Sequence, residues 1–165
     1  MEHRPGLAAT AVATTGIFGH ELAELDGPEA ALIRVADAAL DSRIVVLLPG
    51  ALELTCALMR QGYTNVTMAR LTDRPRAEQA DVLIVPEIAP GLTADGLPDR
   101  VVSYARRVLA PLGTVVLSLD AGLPAEAAQQ ARCRLRTLGF AAVHAETAYG
   151  STLVRADLPL IGRLS

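Results

Sequence analysis

An acidic residue directly after an apolar run is the first feature of this sequence that could carry chemistry. Asp81–Val85 is followed by Pro86 and Glu87. A carboxylate at the end of a buried strand can act as a general base or as a polar contact to a ligand. We therefore predict Glu87 as the catalytic candidate, and a solvated strand-end carboxylate is the alternative interpretation.

A second group of candidate residues follows the apolar run Ile44–Leu48. Pro49 and Gly50 come directly after it, and Glu53 falls in the first turn of the helix predicted next. Glycine lets a backbone approach a ligand closely. A first-turn carboxylate such as Glu53 is also favourable for the helix dipole, without any ligand. We predict that Pro49, Gly50, Glu53 and Pro86 line one ligand-binding cleft.

Other charged residues give weaker signals. Asp120 follows the third clear strand and precedes Ala121-Gly122, which is more typical of a turn than of a site. Arg70, Arg74 and Arg76 lie close together in one loop. They are either surface charge or an anion-binding module, because arginine can bind a phosphate with two parallel hydrogen bonds.

Composition excludes several function classes. The net charge of −3 argues against a nucleic-acid partner. The chain contains no lysine, so neither a Schiff base nor a P-loop lysine is available. No Gly-x-Ser-x-Gly or Gly-x-Gly-x-x-Gly motif occurs, which leaves a hydrolase triad and a dinucleotide-dependent dehydrogenase without support.

Further expectations concern metal, redox state and location. The three histidines lack metal-ligand spacing, so no metal site is expected. Cys56 and Cys133 are expected to be buried and reduced, as in a cytoplasmic protein. No run of about 18 apolar residues exists, so no membrane association is expected.

Helices and strands alternate along the chain. Strands are predicted at 44–48, 66–69, 81–86, 114–119, 140–148 and 151–157, and the last two form a hairpin. Helices are predicted at 28–40, where Asp26 is the expected cap, at 51–61, from Asp95–Pro98 to about 109, and at 124–138. Alternating elements of this kind predict a doubly wound sheet between two helix layers.

We therefore expect an α/β, three-layer, Rossmann-like fold. The sheet is expected to be mostly parallel, with one antiparallel edge strand from the C-terminal hairpin. The chain is predicted to be a single domain over residues 1–165, in which 1–26 form an N-terminal extension and 27–157 the core.

This layout resembles the class I S-adenosylmethionine-dependent methyltransferase family. Asp81–Ile88 looks like the family's fourth strand with its acidic residue. Val101–Ser118 looks like its next helix, the "R-x-L-x-P-G-G" turn and the fifth strand. The resemblance implies the strand order 2-1-4-5-7-6 in family numbering. Only about ten residues separate the second strand from Asp81, too few for two crossovers, so the family's third strand is predicted to be missing.

The same resemblance implies that the cofactor loop is degenerate. The family's acid-x-Gly-x-Gly-x-Gly maps onto Val46–Leu52, where Val46 replaces the acid, Leu48 and Leu52 replace glycines, and Gly50 alone remains. Pro49 removes an amide donor. The acid that hydrogen-bonds the ribose maps onto Arg70, which cannot accept a hydrogen bond. The resemblance thus adds Arg70 to Pro49, Gly50, Glu53 and Pro86 as a residue of the vestigial cofactor cleft.

Three functions follow from these residues. The first is a degenerate methyltransferase-like domain, a non-catalytic binding or scaffold module that forms a homodimer or pairs with a partner protein. In that case it binds no cofactor, or S-adenosylmethionine only weakly. The second is an active small methyltransferase in which Glu87 orients or deprotonates the substrate. The third is the anion-binding module of Arg70, Arg74 and Arg76.

Overall fold

The computed structural model describes residues 26–88 and 99–160. Predictions for residues 1–25 and 89–98, including the start of the third helix, lie outside these residues. The helices are α1 (Pro28–Ala36), α2 (Ala51–Arg60), α3 (Asp99–Val108) and α4 (Ala125–Thr137). The strands are β1 (Ile44–Leu47), β2 (Val66–Ala69), β3 (Ala80–Ile88), β4 (Leu109–Leu119), β5 (Ala141–Ala148) and β6 (Ser151–Asp157).

The central strands are apolar on both faces because helices cover both faces of the sheet. All four residues of β1 are buried. Val45 and Leu47 pack in a core with α3 and α4. Ile44 and Val46 pack in a second core with α1 and α2. This alternation confirms the predicted three-layer arrangement.

The six strands form one mixed sheet in the order β2-β1-β3-β4-β6-β5. The neighbours from β2 to β4 pair in parallel, whereas β6 runs antiparallel to both β4 and β5. The expected order 2-1-4-5-7-6 uses family numbers, which count the missing third strand. Numbered consecutively, the family's strands 4, 5, 6 and 7 become β3, β4, β5 and β6. Residues 70–79 contain no strand between β2 and β3.

The position of the antiparallel strand corrects one expectation. β6 lies between β4 and β5, and the edge strand is β5. The hairpin places its second strand inside because Thr114 to Leu119 of β4 pair with β6 along its whole length. β5, which is mostly exposed, pairs on one side only within the described sheet.

Helix α1 is shorter than predicted and is capped differently. It ends at Ala36, where Asp37 adopts a left-handed conformation with φ 47°. Gly27 occupies the N-cap position without a side-chain hydrogen bond. Asp26 is therefore not the helix cap, and its carboxylate instead accepts a hydrogen bond from the Tyr149 hydroxyl.

The prediction of two buried cysteines was wrong. Cys56 and Cys133 are both exposed thiols. Cys56 lies on the outer face of α2, because Leu54, Ala57 and Leu58 occupy the face that packs on the sheet. On α4 the buried residues are Ala131 and Leu135, which leaves Cys133 on the solvent side.

The predicted turn before the third clear strand is an irregular part of β4 itself. Pairing with β3 jumps from Ala80–Leu109 to Val82–Thr114, so the intervening residues bulge. Leu112 has a φ of 64°. A Cβ atom built on Gly113 would lie 2.8 Å from the Ala110 carbonyl oxygen, so only glycine fits there without a backbone shift.

An ion pair joins the amino ends of β1 and β3. Arg43 Nη2 donates to Asp81 Oδ1 at 2.7 Å, and Arg43 Nε donates to Oδ2 of the same carboxylate at 3.2 Å. The backbone amide of Arg43 also donates to Asp81 Oδ2, at 2.8 Å. These hydrogen bonds and the positive charge of Arg43 hold the pKa of the Asp81 carboxyl below its ordinary value, although partial burial acts in the opposite direction.

Candidate functional site

A cleft of about 320 Å³ lies at the carboxyl ends of the central parallel strands. Its walls come from the first turns of α1 and α2, the ends of β3 and β4, and the start of β6. Open α/β sheets bind ligands at this edge, because the loops that follow parallel strands converge there. The cleft is therefore the candidate ligand site of this fold.

Gly50 follows β1 and lies beside the carboxyl end of β3, at the floor of the cleft. It is the N-cap residue of α2 and has a φ of 81°, a conformation that glycine adopts without strain. A Cβ atom built on Gly50 would lie 3.6 Å from Pro86 Cβ and 3.7 Å from Glu87 Oε2. The structure thus brings Gly50, Pro86 and Glu87 together, as the sequence predicted.

Glu53 also lines the cleft from the first turn of α2. Pro49, in contrast, is exposed and does not line it. The reason is the turn at Gly50, which directs α2 back over the sheet and leaves the preceding residue outside. The prediction for Pro49 as a cleft residue is therefore not supported by its position.

The two acidic residues at the strand ends have different local roles. Glu87 is exposed and forms no hydrogen bond or ion pair within residues 26–88 and 99–160. Asp120 Oδ1 accepts a hydrogen bond of 2.9 Å from the Gly122 amide, which is the expected turn geometry. Asp120 nevertheless lines the same cleft as Glu87.

Three polar cleft residues escaped the sequence prediction. Glu29 comes from the first turn of α1, Ser118 from β4 and Ser151 from the first position of β6. Ser118 is a polar residue inside an apolar strand, and this exception to the pattern was the available signal. Glu29 and Ser151 reach the cleft only through the packing of α1 and the hairpin.

Arg70 stands outside the cleft. It follows β2, its side chain is exposed, and its backbone amide donates to Asp73 Oδ2 at 2.8 Å. Arg74 and Arg76 are also exposed, and neither lines the cleft. The nearby Asp73 charge, together with burial as the larger cause, raises the pKa of the Tyr104 hydroxyl.

The two leucines of the altered loop do not fill the cleft. Leu48 and Leu52 are 37% and 58% exposed, and neither lines it. Leu52 instead faces a neighbouring groove, whose lining includes Cys56 and Arg60. Positions 52, 56 and 60 are one helical turn apart and share the outer face of α2. The two leucines that replace family glycines therefore leave this cleft unfilled.

Another cavity, of about 410 Å³, lies at the opposite end of the sheet. Ser103, Arg106 and Arg107 of α3 line it together with Leu109 and the segment after β6. Although larger, it lies at the amino end of β4, away from the edge where parallel strands present their loops. We therefore place the candidate site in the smaller cleft.

Metal-ligand geometry is not found in the described part of the chain. No group of three or more His, Cys, Asp or Glu side chains within residues 26–88 and 99–160 is arranged to hold a metal ion. The helices described there are also too short or too polar to cross a membrane. The acidic side chains of the cleft are thus spread out rather than focused on one point.

Comparison by sequence gives no relative, because no family model and no curated protein matches this chain. Comparison of structures, in contrast, finds proteins of similar fold. Human N-acetylserotonin methyltransferase in complex with S-adenosylmethionine matches with a TM-score of 0.59 and 12% identity, over 79% of this chain and 51% of that chain.

Two microbial structures match over most of their own length. The proposed S-adenosyl-L-methionine-dependent methyltransferase of Methanococcus maripaludis has a TM-score of 0.61 at 8% identity, covering 79% of this chain and 83% of that one. The S-adenosylmethionine-dependent methyltransferase of Mesorhizobium loti has a TM-score of 0.55 at 14% identity, covering 79% and 98%. The chain therefore has the class I methyltransferase-like fold.

Proposed function

We propose that this chain is a methyltransferase-like binding module that holds a small ligand beside Gly50 and does not transfer methyl groups. The observation that carries the proposal is Arg70 at the end of β2, with its guanidinium exposed. The resemblance calls for a carboxylate there, to accept hydrogen bonds from ribose hydroxyls. A guanidinium has only donors, so it cannot replace that carboxylate.

The neighbouring carboxylate does not compensate for this change. Asp73 lies three residues further along, but its Oδ2 already accepts the Arg70 amide. The backbone amide of Asp73 in turn donates to the Arg70 carbonyl oxygen at 3.0 Å, which closes a local turn. This turn uses the Asp73 carboxylate for local backbone geometry.

The loops around the site support the same conclusion. Pro49 has no N–H to offer to a cofactor at the turn into α2. The segment 70–79 leads into β3 without forming the additional strand expected of the family. The ribose end of an adenosyl cofactor would therefore meet residues that do not fit it, whereas the end beside Gly50 remains open.

Calorimetric titration of the full chain with S-adenosylmethionine and S-adenosylhomocysteine tests this proposal. We expect no binding at micromolar concentrations. Arg70→Asp should then improve affinity about tenfold or more, because a hydrogen bond to a charged group contributes about 1.5–3 kcal/mol. Arg74→Asp is the matched control and should leave affinity unchanged. Micromolar binding by the unaltered chain would overturn the proposal.

A second candidate, an active small methyltransferase, is favoured by the open space beside Glu87. Leu48 and Leu52 do not line that space, so the Glu87 carboxylate is accessible to a ligand there. Formation of S-adenosylhomocysteine from S-adenosylmethionine with small-molecule acceptors would establish it. Glu87→Gln should abolish that turnover, whereas Glu126→Gln, on the exposed first turn of α4, should not.

A further inference from the structure

We propose that the cavity of about 410 Å³ at the amino end of β4 binds a small amphipathic carboxylate, an organic anion with a hydrocarbon body. This cavity shares no described lining residue with the cleft beside Gly50, so the proposal does not depend on the function proposed for that cleft. Helix α3 contributes a cationic lining, whereas β4 and the segment after β6 contribute an apolar one. A ligand that combines one negative charge with methylene groups matches both.

The polar part of the lining comes from one face of α3. Ser103, Arg106 and Arg107 line the cavity, and residues three and four positions apart lie side by side on a helix. The opposite face, which includes Val102 and Ala105, is buried in the core. A hydroxyl and two guanidinium groups are therefore presented to the same space.

The positive charge of this face lacks a carboxylate in the cavity. None of the described lining residues is acidic. The Arg106 side chain forms no hydrogen bond or ion pair with any described residue, whereas Arg43 is paired with Asp81. Arg106 and Arg107 also interact favourably with the helix dipole, because they lie in the last turn of α3. That interaction leaves the N–H donors of Arg106 available to an anion.

A main-chain hydrogen bond holds the apolar part of the lining in place. The Leu158 amide donates to the Gly113 carbonyl oxygen at 2.8 Å, and the Leu158 side chain packs against the core that contains α3. The apolar lining residues are Leu109, Pro111, Leu158, Pro159 and Leu160. Leu160 is 69% exposed, so a hydrocarbon chain placed against it would remove apolar surface from water.

The irregular start of β4 shapes the cavity. Pairing with β3 is interrupted between Leu109 and Thr114, where Leu112 has a positive φ and Gly113 lacks room for a Cβ atom. Such bulges redirect side chains and are frequent next to binding sites. Here the bulge begins among residues that line the cavity, Leu109 and Pro111.

The size and mixed lining of the cavity favour this ligand class over simpler ones. Its volume lies within the range for small-molecule sites, roughly 300–1,000 Å³. An inorganic anion would use only the α3 part of the lining, and a neutral hydrocarbon would leave the guanidinium groups without an acceptor. A carboxylate accepts two parallel hydrogen bonds from a planar guanidinium, and its hydrocarbon chain covers the leucines.

Calorimetric titration of the full chain with octanoate tests the proposal. We expect saturable one-to-one binding that weakens as sodium chloride is added, because the arginine side chains are exposed to screening. Octan-1-ol, which lacks the charge, and acetate, which lacks the hydrocarbon chain, should each bind at least about tenfold more weakly.

Variants distinguish this cavity from general surface charge. Arg106→Gln should weaken octanoate binding about tenfold, because a hydrogen bond to a charged group is lost. Leu160→Ala should weaken it several-fold through lost apolar contact. Arg136→Gln removes an exposed last-turn arginine of α4 that does not line the cavity, and it should bind octanoate as the unaltered chain does. Thermal unfolding of each variant verifies that it is folded.

Amide chemical shifts locate the bound octanoate. We expect changes at residues 106–109 and at Leu158 and Leu160, and changes confined to the cleft beside Gly50 would overturn the inference. Equal affinity of the Arg106 and Arg136 variants would overturn it as well, as would acetate or octan-1-ol binding as tightly as octanoate, or no octanoate binding to the folded chain. None of these results alters the expected lack of S-adenosylmethionine binding.

Discussion

The two ends of the β1–β3 strand pair differ in how their acidic side chains are paired. At the amino end, Arg43 and Asp81 neutralise each other through two side-chain hydrogen bonds, and Arg43 Nη1 also donates to the Glu78 carbonyl oxygen at 3.0 Å. At the carboxyl end, Glu53 and Glu87 line a cleft in which none of the described lining residues is basic. At the amino end the acidic side chain is thus paired, whereas at the carboxyl end the acidic side chains of the cleft have no basic partner among the described lining residues.

Backbone structure also differs between the two ends of this strand pair. The amino end is closed by backbone pairing as well as by the ion pair, since the Asp81 and Val82 amides both donate to the Arg43 carbonyl oxygen. At the carboxyl end, Gly50 turns the chain into α2 without a side chain that could cover the cleft. The amino ends of β1 and β3 are therefore joined by hydrogen bonds and an ion pair, whereas their carboxyl ends border the cleft.

The largest expected effect concerns the strand interior that both ends share. Leu83 of β3 is fully buried in the core with α3 and α4. Leu83→Ala should lower the free energy of unfolding by about 2–5 kcal/mol, because it removes buried methyl groups and leaves a cavity. Urea denaturation measures this change. A loss below about 1 kcal/mol would contradict the close packing of this core.

A glycine exchange at each end tests which end is closed. Gly113→Ala places a Cβ atom 2.8 Å from a backbone oxygen and should cost about 1–3 kcal/mol in unfolding free energy. Gly50→Ala meets only ordinary contacts and should cost about 1–2 kcal/mol, from its left-handed backbone alone. A larger loss for Gly50→Ala than for Gly113→Ala in urea denaturation would contradict the tighter packing around Gly113.

Removing one carboxylate from each end should change stability in opposite directions. Asp81→Asn breaks the pair with Arg43 and should lower the unfolding temperature by less than Gly113→Ala does, because both side chains are partly exposed to solvent screening. Glu87→Gln should raise the unfolding temperature slightly, by an amount that corresponds to no more than about 0.5 kcal/mol of unfolding free energy, because repulsion in the cleft decreases. Differential scanning calorimetry compares the two, and a loss in both variants would remove the contrast between the ends.

The smallest effect is the pH dependence of the Asp81 pair. The pKa of Asp81 is lowered in the folded chain, mainly by its hydrogen bond to Arg43. Stability from this pair is therefore complete above the ordinary carboxyl pKa of about 4 and is lost as the pH falls through the lower folded value. Unfolding temperatures measured from pH 6 to pH 2 should show a smaller acid-induced decrease in Asp81→Asn than in the unaltered chain.

Much of the fold could be predicted from local pattern. The strand β2 has its predicted bounds, and the bounds of β6 agree as well. The missing third strand followed from the family resemblance together with the short segment before Asp81, since ten residues cannot make a crossover and return. The grouping of Gly50, Pro86 and Glu87 was also predictable, because consecutive parallel strands bring their carboxyl ends to one edge.

Several features of the site were not predictable in this way. Cys56 was expected to be buried, but it is exposed because α2 packs on the sheet through Leu54, Ala57 and Leu58. Glu29 and Ser151 are far apart in sequence and meet only because α1 and the hairpin pack against the same strand ends. Such contacts arise from tertiary packing, which no local periodicity encodes.

The sequence by itself determined the alternation of elements and the doubly wound sheet, because the pattern of buried residues along each helix and strand is a local property. The tertiary structure alone decided that Glu29, Glu53, Glu87 and Asp120 line one cleft together with Ser118 and Ser151. The physical reason is that electrostatic environment depends on the distance between side chains in space, whereas sequence records only their distance along the chain.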